Sequence, residues 1–123
     1  MTKHEEVFYK HLKRKLLFTK FNIEVKVPIT KLYKERKDIL FTFGKDEHLL
    51  DDVIIDFVIK RGKRVIAGIE IVDEEDEINM SIGKKTLINS LFLQMNYEYF
   101  RIVDLDKLSE AADIIKDKLI NLK

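Results

Sequence analysis

Two apolar segments joined by a tight turn constrain the fold of this chain more than any other feature. Val53–Ile59 is rich in β-branched and aromatic residues, and Arg64–Val72 returns as a second apolar segment. Between them, Arg61-Gly62-Lys63 is typical of a short hairpin turn. Because both arms are apolar at nearly every position, they have the pattern of strands that are covered on both faces. The sequence therefore predicts a β-hairpin in the middle of a sheet.

Helical and strand patterns on either side of the hairpin predict the remaining architecture. Apolar side chains recur at helical spacing in residues 4–19, 84–95 and 106–121. Residues 22–27 alternate apolar and polar positions, and residues 97–103 form another strand-like run. The order α-β-(α)-β-β-α-β-α predicts an α/β domain whose mixed β-sheet contains a central antiparallel hairpin and is flanked by helices on both faces. Three shorter predictions complete the chain: a polar helix at 29–36, an apolar run of uncertain type at Ile39–Phe43, and a charged loop or helical turn at 45–51.

Composition limits the class of protein. The 123 residues fit a single domain, 1–123, and 46% hydrophobic with 37% charged residues can both fill a core and cover a surface. The formal net charge of +1 does not by itself indicate nucleic-acid binding, and the absence of cysteine excludes disulfides and thiolate metal sites. No apolar run reaches the roughly 18–20 residues that span a bilayer, so we expect a cytoplasmic protein without membrane association.

Two acidic residues interrupt the apolar hairpin. Asp56 lies in the first arm and Glu70 in the second. If the hairpin turns at Gly62, Asp56 pairs near residue 68, and Glu70 lies diagonally close to it. An ionised carboxylate in a central strand is costly unless a partner neutralises it, and two converging carboxylates suit a hard cation such as Mg²⁺ or Mn²⁺. The alternative is that each acid sits at a strand end and reaches water or a lysine.

The order of these motifs resembles the PD-(D/E)xK nuclease superfamily, which has the restriction-endonuclease-like fold. Within that superfamily, the chain is most similar to small bacterial domains related to very-short-patch repair endonucleases. The likeness covers nearly the whole chain, although each motif is short. The matching stretches are Glu5-Glu6-Val7-Phe8 with Leu12, Asp56-Phe57-Val58-Ile59, Ile69-Glu70-Ile71-Val72-Asp73 and Tyr97-Glu98-Tyr99-Phe100-Arg101-Ile102.

The resemblance implies a metal-dependent nuclease. Asp56 and Glu70 would bind Mg²⁺ or Mn²⁺ together with the backbone carbonyl of Ile71, and Glu5 would point from the first helix toward the same ion. Lewis-acid activation of a water would then allow attack on a phosphodiester. Nucleic acid would be the substrate, with DNA favoured over RNA.

One departure from the superfamily pattern concerns the lysine that usually follows the glutamate by two residues. That position is Val72 here, and the nearest candidates for a relocated lysine are Lys84 and Lys85 at the start of the following helix. Both could equally be solvated helix-start lysines. Two functions therefore stay open: an active nuclease, or a noncatalytic protein-interaction or regulatory module on the same fold.

Basic residues outside the hairpin are candidates for nucleic-acid contacts. Lys13 and Arg14 belong to a basic face of the first helix, which could follow phosphates or could be a plain solvent face. The resemblance adds Arg101, near the end of the last strand. A double-strand break needs two copies of so small a domain, which favours a homodimer, and a protein partner is a further expectation.

Overall fold

The computed structural model describes most of the chain. It describes residues 1–33, 36, 48–73, 75, 80 and 82–122. The apolar run predicted at Ile39–Phe43 lies outside these residues, as does part of the charged segment at 45–51.

The helices and strands follow the predicted order. They are α1 (Lys3–Lys15), β1 (Phe21–Pro28), α2 (Thr30–Tyr33), β2 (Ile54–Arg61), β3 (Arg64–Ile71), α3 (Ile82–Met95), β4 (Glu98–Ile102) and α4 (Leu108–Ile120), with a 3-10 turn at Leu105–Lys107 before α4. The first helix is shorter than the predicted 4–19, because Phe18 adopts a positive φ of 64° that no α-helix accommodates.

The four strands form one mixed sheet in the order β1-β2-β3-β4. The pairs β1–β2 and β2–β3 are antiparallel, and β3–β4 is parallel with α3 as the intervening helix. The hairpin turns at Gly62, whose φ of +65° is readily adopted by glycine. The α/β class and the central position of the hairpin are therefore confirmed, whereas the specific restriction-endonuclease-like topology stays a prediction.

Helices cover the sheet on both sides, as predicted. On one side α1 and α4 pack against Phe57, Ile59 and Ile69. On the other side α2 and α3 pack against Ile55 and Val58. Burial on both faces explains why the hairpin arms lack the apolar–polar alternation of a half-exposed strand.

At Lys26 and Asp56, the alternation of side chains between the two faces of the sheet is interrupted in both β1 and β2. Strict alternation would place Ile55 on the same side as Phe57, yet Ile55 and its partner Val27 pack with the opposite cluster. The register is the same before and after this level, so Lys26 lies opposite Asp56. Lys26 also has a positive φ of 53°. The break in alternation therefore concentrates two charged residues at one point between the strands.

A β-bulge corrects the predicted pairing of the hairpin. The predicted partner of Asp56 was near residue 68, but Val58 pairs with Gly68, which places Asp56 level with Glu70. The register shift occurs at Ile59–Lys60, where one extra residue enters β3. The predicted pairing was wrong by two residues: the bulge accounts for one, and the two-residue turn that pairs Arg61 with Arg64 accounts for the other.

Candidate functional site

The start of α1 positions the first acidic side chain. Thr2 is the N-cap, and its hydroxyl accepts a hydrogen bond from the backbone N–H of Glu5 at 3.2 Å. The Glu5 carboxylate in turn accepts from the Thr2 backbone N–H at 3.2 Å, which completes a capping box. Glu5 is only 3% exposed. Helix capping therefore holds a buried carboxylate in a defined orientation.

The second acidic side chain replaces part of the β-ladder. Asp56 Oδ2 accepts a hydrogen bond from the backbone N–H of Ile71 at 2.9 Å. This contact lies beyond the last ladder pair of β2 and β3, which is Phe57 with Ile69. The Asp56 side chain, 15% exposed, thus occupies the place of a backbone acceptor and is fixed between the two strands.

Lys26 joins these two acids. Its ammonium forms an ion pair with Glu5 Oε1, lies 3.0 Å from Glu5 Oε2 and lies 2.9 Å from Asp56 Oδ1. Helix α1 and strands β1 and β2 each contribute one of the three side chains. Two negative charges therefore converge on a single positive charge.

A cleft of about 540 Å³ opens beside this cluster. The Lys26 side chain is 42% exposed, so solvent reaches the ammonium. The described residues that line the cleft are Met1, Thr2, His4, Glu5, Lys26, Asp56, Ile71, Asp73 and Leu105.

Glu70 belongs to a neighbouring polar group. Its carboxylate accepts a hydrogen bond from the Tyr99 hydroxyl at 2.7 Å, and Arg101 Nε lies 4.0 Å from the same oxygen. The Glu70 side chain is 8% exposed, and Glu70 is not among the described residues that line the cleft. The structure thus brings Glu5 and Asp56 together and gives Glu70 its own partners on β4.

The acids differ in their preferred protonation states. Burial raises the pKa of Asp56, and the negative charge of Glu5 adds to this, while the Lys26 and Ile71 hydrogen bonds oppose it. Burial likewise raises the pKa of Glu70, supported by the charge of Asp56. For Glu5, burial is outweighed by hydrogen bonds from Lys26 and Thr2, which lower its pKa.

The carboxylates of the site also shift the pKa values of Lys26 and Tyr99. Burial acts to lower the pKa of Lys26, but its hydrogen bonds to Glu5 and Asp56 prevail and raise it. Burial and the nearby Glu70 carboxylate raise the pKa of Tyr99. Lys26 is therefore an ammonium at neutral pH, and Tyr99 remains a hydroxyl that can donate to Glu70.

The lysines predicted as helpers lie in different surroundings. Lys84 Nζ is 3.1 Å from Asp52 Oδ1, and its charge also acts to lower the pKa of Glu70. Lys85 is half-buried on α3. Among the predicted nucleic-acid contacts, Lys13 and Arg14 are exposed on α1, whereas the Arg101 side chain is only 17% exposed beside Glu70.

Lys26 is the residue that sequence reasoning missed. In the alternating run of residues 22–27 it occupied an ordinary polar position of a half-buried strand. Its role depends on the change of face in β1 and β2 and on the approach of α1. Neither of these features has a local sequence signal.

The donor set suits a hard cation held by two carboxylates. In the described ranges, no three His, Asp or Glu side chains form a group that could hold a metal ion. Mg²⁺ nevertheless keeps several waters and is commonly bound by one or two carboxylates. Glu5 and Asp56 supply two such groups around one positive charge, so their chemistry fits this type of site.

Comparisons with family models, with curated proteins and with solved structures give no match to this chain. The likeness to PD-(D/E)xK nucleases therefore stays a prediction from the sequence motifs. Within the part of the chain that the structure describes, no helix has the length and apolar character needed to cross a membrane.

We expect the Glu70→Gln variant to be more stable than the wild type by about 1 kcal/mol at pH 7. Glutamine keeps an acceptor for Tyr99 but removes a buried charge whose pKa is raised. The Glu70 carboxyl stays protonated to higher pH in the folded state than in the unfolded state. The free energy of unfolding of the wild type therefore falls as the pH rises from the ordinary pKa of 4.5 through the raised pKa. The advantage of Glu70→Gln should therefore grow across that window in urea titrations.

The matched control is Glu24→Gln, which removes a 44% exposed carboxylate paired with Lys60. We expect its free energy of unfolding at pH 7 to change by less than about 0.5 kcal/mol. A Glu70→Gln variant that is less stable than the wild type at pH 7 would contradict the raised pKa of Glu70.

Proposed function

We propose that this domain is a metal-dependent nuclease of PD-(D/E)xK type that hydrolyses nucleic-acid phosphodiesters, with DNA preferred over RNA. The observation that carries the proposal is the convergence of Glu5 and Asp56 on one positive charge beside an open cleft. Paired carboxylates held by a helix cap and by a backbone N–H form a preorganised site, which structural ion pairs on a surface do not require.

The acidic residues would have different roles in hydrolysis. Glu5 and Asp56 would hold Mg²⁺ or Mn²⁺, and an ion bound there supplies Lewis-acid activation of water. The water oxygen forms a bond to phosphorus and releases one proton, while one bridging P–O bond breaks and its oxygen takes up a proton. Glu70 lies level with Asp56 on β3, and its ionised carboxylate would add negative charge near a cation held there.

Helix α1 supports contact with a polyanion. It carries Lys13 and Arg14 on its exposed side and Glu5 on its buried side. A nucleic-acid strand that follows these basic side chains would therefore run along the helix that contributes to the site. Such contacts release counterions from the nucleic acid, and this release is less favourable at high salt, so binding should fall steeply with ionic strength.

Calorimetric binding of Mn²⁺ and Mg²⁺, with plasmid and single-strand cleavage on the same samples, tests the proposal. Asp56→Asn preserves the shape of the side chain and an acceptor for the Ile71 N–H, but it removes the charge. We expect metal binding to be lost and cleavage to fall at least about 100-fold, as for other groups that stabilise the transition state.

The control for this experiment is Asp113→Asn on α4. Its carboxylate is 53% exposed and paired with Lys15, away from the described lining of the cleft. We expect unchanged metal binding and cleavage. A folded wild type that binds no metal at millimolar concentration would overturn the proposed function.

A noncatalytic module on the same fold is the second candidate. The apolar Val72, 5% exposed, stands where the superfamily usually has its lysine, and this favours loss of the chemistry. Metal binding by the wild type without cleavage of either substrate would support this candidate over the nuclease.

A further inference from the structure

We propose that Lys26 is the catalytic lysine of this site, supplied from β1 to contact the phosphate that is cleaved. The inference rests on the proposed nuclease function and names a residue that the motif resemblance does not include. It places the lysine on β1, the outermost strand on its side among the described residues, whereas the usual lysine would lie at Val72 after β3.

Contacts distinguish Lys26 from the other candidate lysines. The Lys26 ammonium reaches both Glu5 and Asp56, and the residue lines the same cleft. Lys84 instead forms an ion pair with Asp52, whose side chain is 79% exposed. Among the described lysines, Lys26 is therefore the one that lines the cleft with both carboxylates.

The backbone shows that this position is held in place. A positive φ is sterically unfavourable in a residue other than glycine, and it persists where the surrounding structure determines it. Lys26 has φ of +53° in the middle of β1, at the level where both strands change face. Such local strain concentrates at functional sites, and here it directs the ammonium between Glu5 and Asp56.

Charge balance gives the ammonium a second role besides pairing. One positive charge neutralises only one of the two carboxylates, so the pair can still attract a divalent cation. When such a cation binds Glu5 and Asp56, the half-exposed ammonium can donate to an anionic phosphate oxygen instead. In this role Lys26 donates a hydrogen bond and transfers no proton, so the proton balance of hydrolysis is the one described above.

The test combines metal binding with cleavage in the variant Lys26→Met. Methionine keeps the unbranched stem and removes the charge. We expect Mn²⁺ to bind at least as tightly as in the wild type, because a competing positive charge is gone, while cleavage falls at least 100-fold. Lys26→Arg should retain more activity than Lys26→Met, and added ethylamine should increase cleavage by Lys26→Ala but not by Asp56→Asn.

Lys60→Met is the matched control. Lys60 lies on the same β1–β2 ladder, and its ammonium is 2.8 Å from Glu24 Oε1. We expect no change in metal binding or cleavage. Circular dichroism on each variant ensures that the comparison is made between folded proteins.

The outcomes separate the two proposals. Loss of both metal binding and cleavage in Lys26→Met would make Lys26 a positioning residue and overturn its catalytic role. Retained cleavage in that variant would overturn it as well. A wild type that fails to bind metal or to cleave overturns the nuclease function itself, before any variant of Lys26 is compared, and the catalytic role of Lys26 falls with it.

Discussion

Replacing Phe57 with alanine should lower the free energy of unfolding by about 4 kcal/mol. Phe57 is fully buried at the centre of the sheet, next to Asp56. Its ring centroid lies 5.5 Å from that of Phe8 and 5.8 Å from that of Tyr9, both on α1. The substitution removes apolar contacts and leaves a cavity, and large-to-small changes of this kind are among the most destabilising in protein cores.

The same substitution should loosen the candidate site. Phe8 and Tyr9 lie about one helical turn after Glu5, so the Phe57 ring holds the part of α1 that positions this carboxylate. Urea unfolding at pH 7 gives the loss of stability, and Mn²⁺ calorimetry on the folded variant should show weaker binding.

Phe18→Ala is the control for this prediction. It makes the same chemical change at a side chain that is fully exposed, and we expect a change within about 0.5 kcal/mol. A loss of less than about 2 kcal/mol in Phe57→Ala would show that Phe57 does not hold α1 against the sheet.

Local patterns were sufficient to predict the strands and helices. The apolar arms around Gly62 predicted the central hairpin, and helical spacing predicted the helices on either side. The capping box of Thr2 and Glu5 likewise joins residues three positions apart. These features depend on neighbours a few residues apart, so the sequence alone contains their causes.

Long-range contacts account for what could not be predicted. The bulge at Ile59–Lys60 shifted the pairing of Asp56 by one residue, because the extra residue in β3 moves every later pair of the ladder. Lys26 meets Glu5 across 21 positions of sequence and Asp56 across 30. Each of the three sequence segments therefore has no unusual pattern of its own, and the cluster forms only where α1, β1 and β2 meet.

Glu70 shows how a prediction can identify a residue but miss its surroundings. An acidic residue in an apolar strand indicated a partner, and the two hypotheses were a metal ion, or water or a lysine reached from a strand end. The structure shows the Tyr99 hydroxyl at 2.7 Å and Arg101 beyond it. Since β4 is parallel to β3, Glu70 lies level with Arg101, a pairing that requires the strand order.

Close packing of α3 on β3 supports this arrangement at Gly68. A Cβ atom added to Gly68 would lie 2.6 Å from two ring atoms of Phe92 and 3.3 Å from a methyl group of Ile55. Phe92 is 1% exposed and stacks on Tyr99 with ring centroids 4.6 Å apart. Any shift of Phe92 would therefore move the tyrosine that donates to Glu70.

We expect Gly68→Ala to lower the free energy of unfolding by about 3 kcal/mol, because a buried ring on α3 must move away from the sheet. Urea unfolding at pH 7 measures the loss, and a shift in the tyrosine absorbance spectrum reports the displaced Tyr99 ring. Gly83→Ala is the matched control, since an added Cβ there meets nothing within 4 Å and lies in α3. Alanine favours helix over glycine by roughly 0.5–1 kcal/mol, so this control should gain stability. Equal stability of Gly68→Ala and the wild type would mean that α3 does not pack against β3 through Phe92.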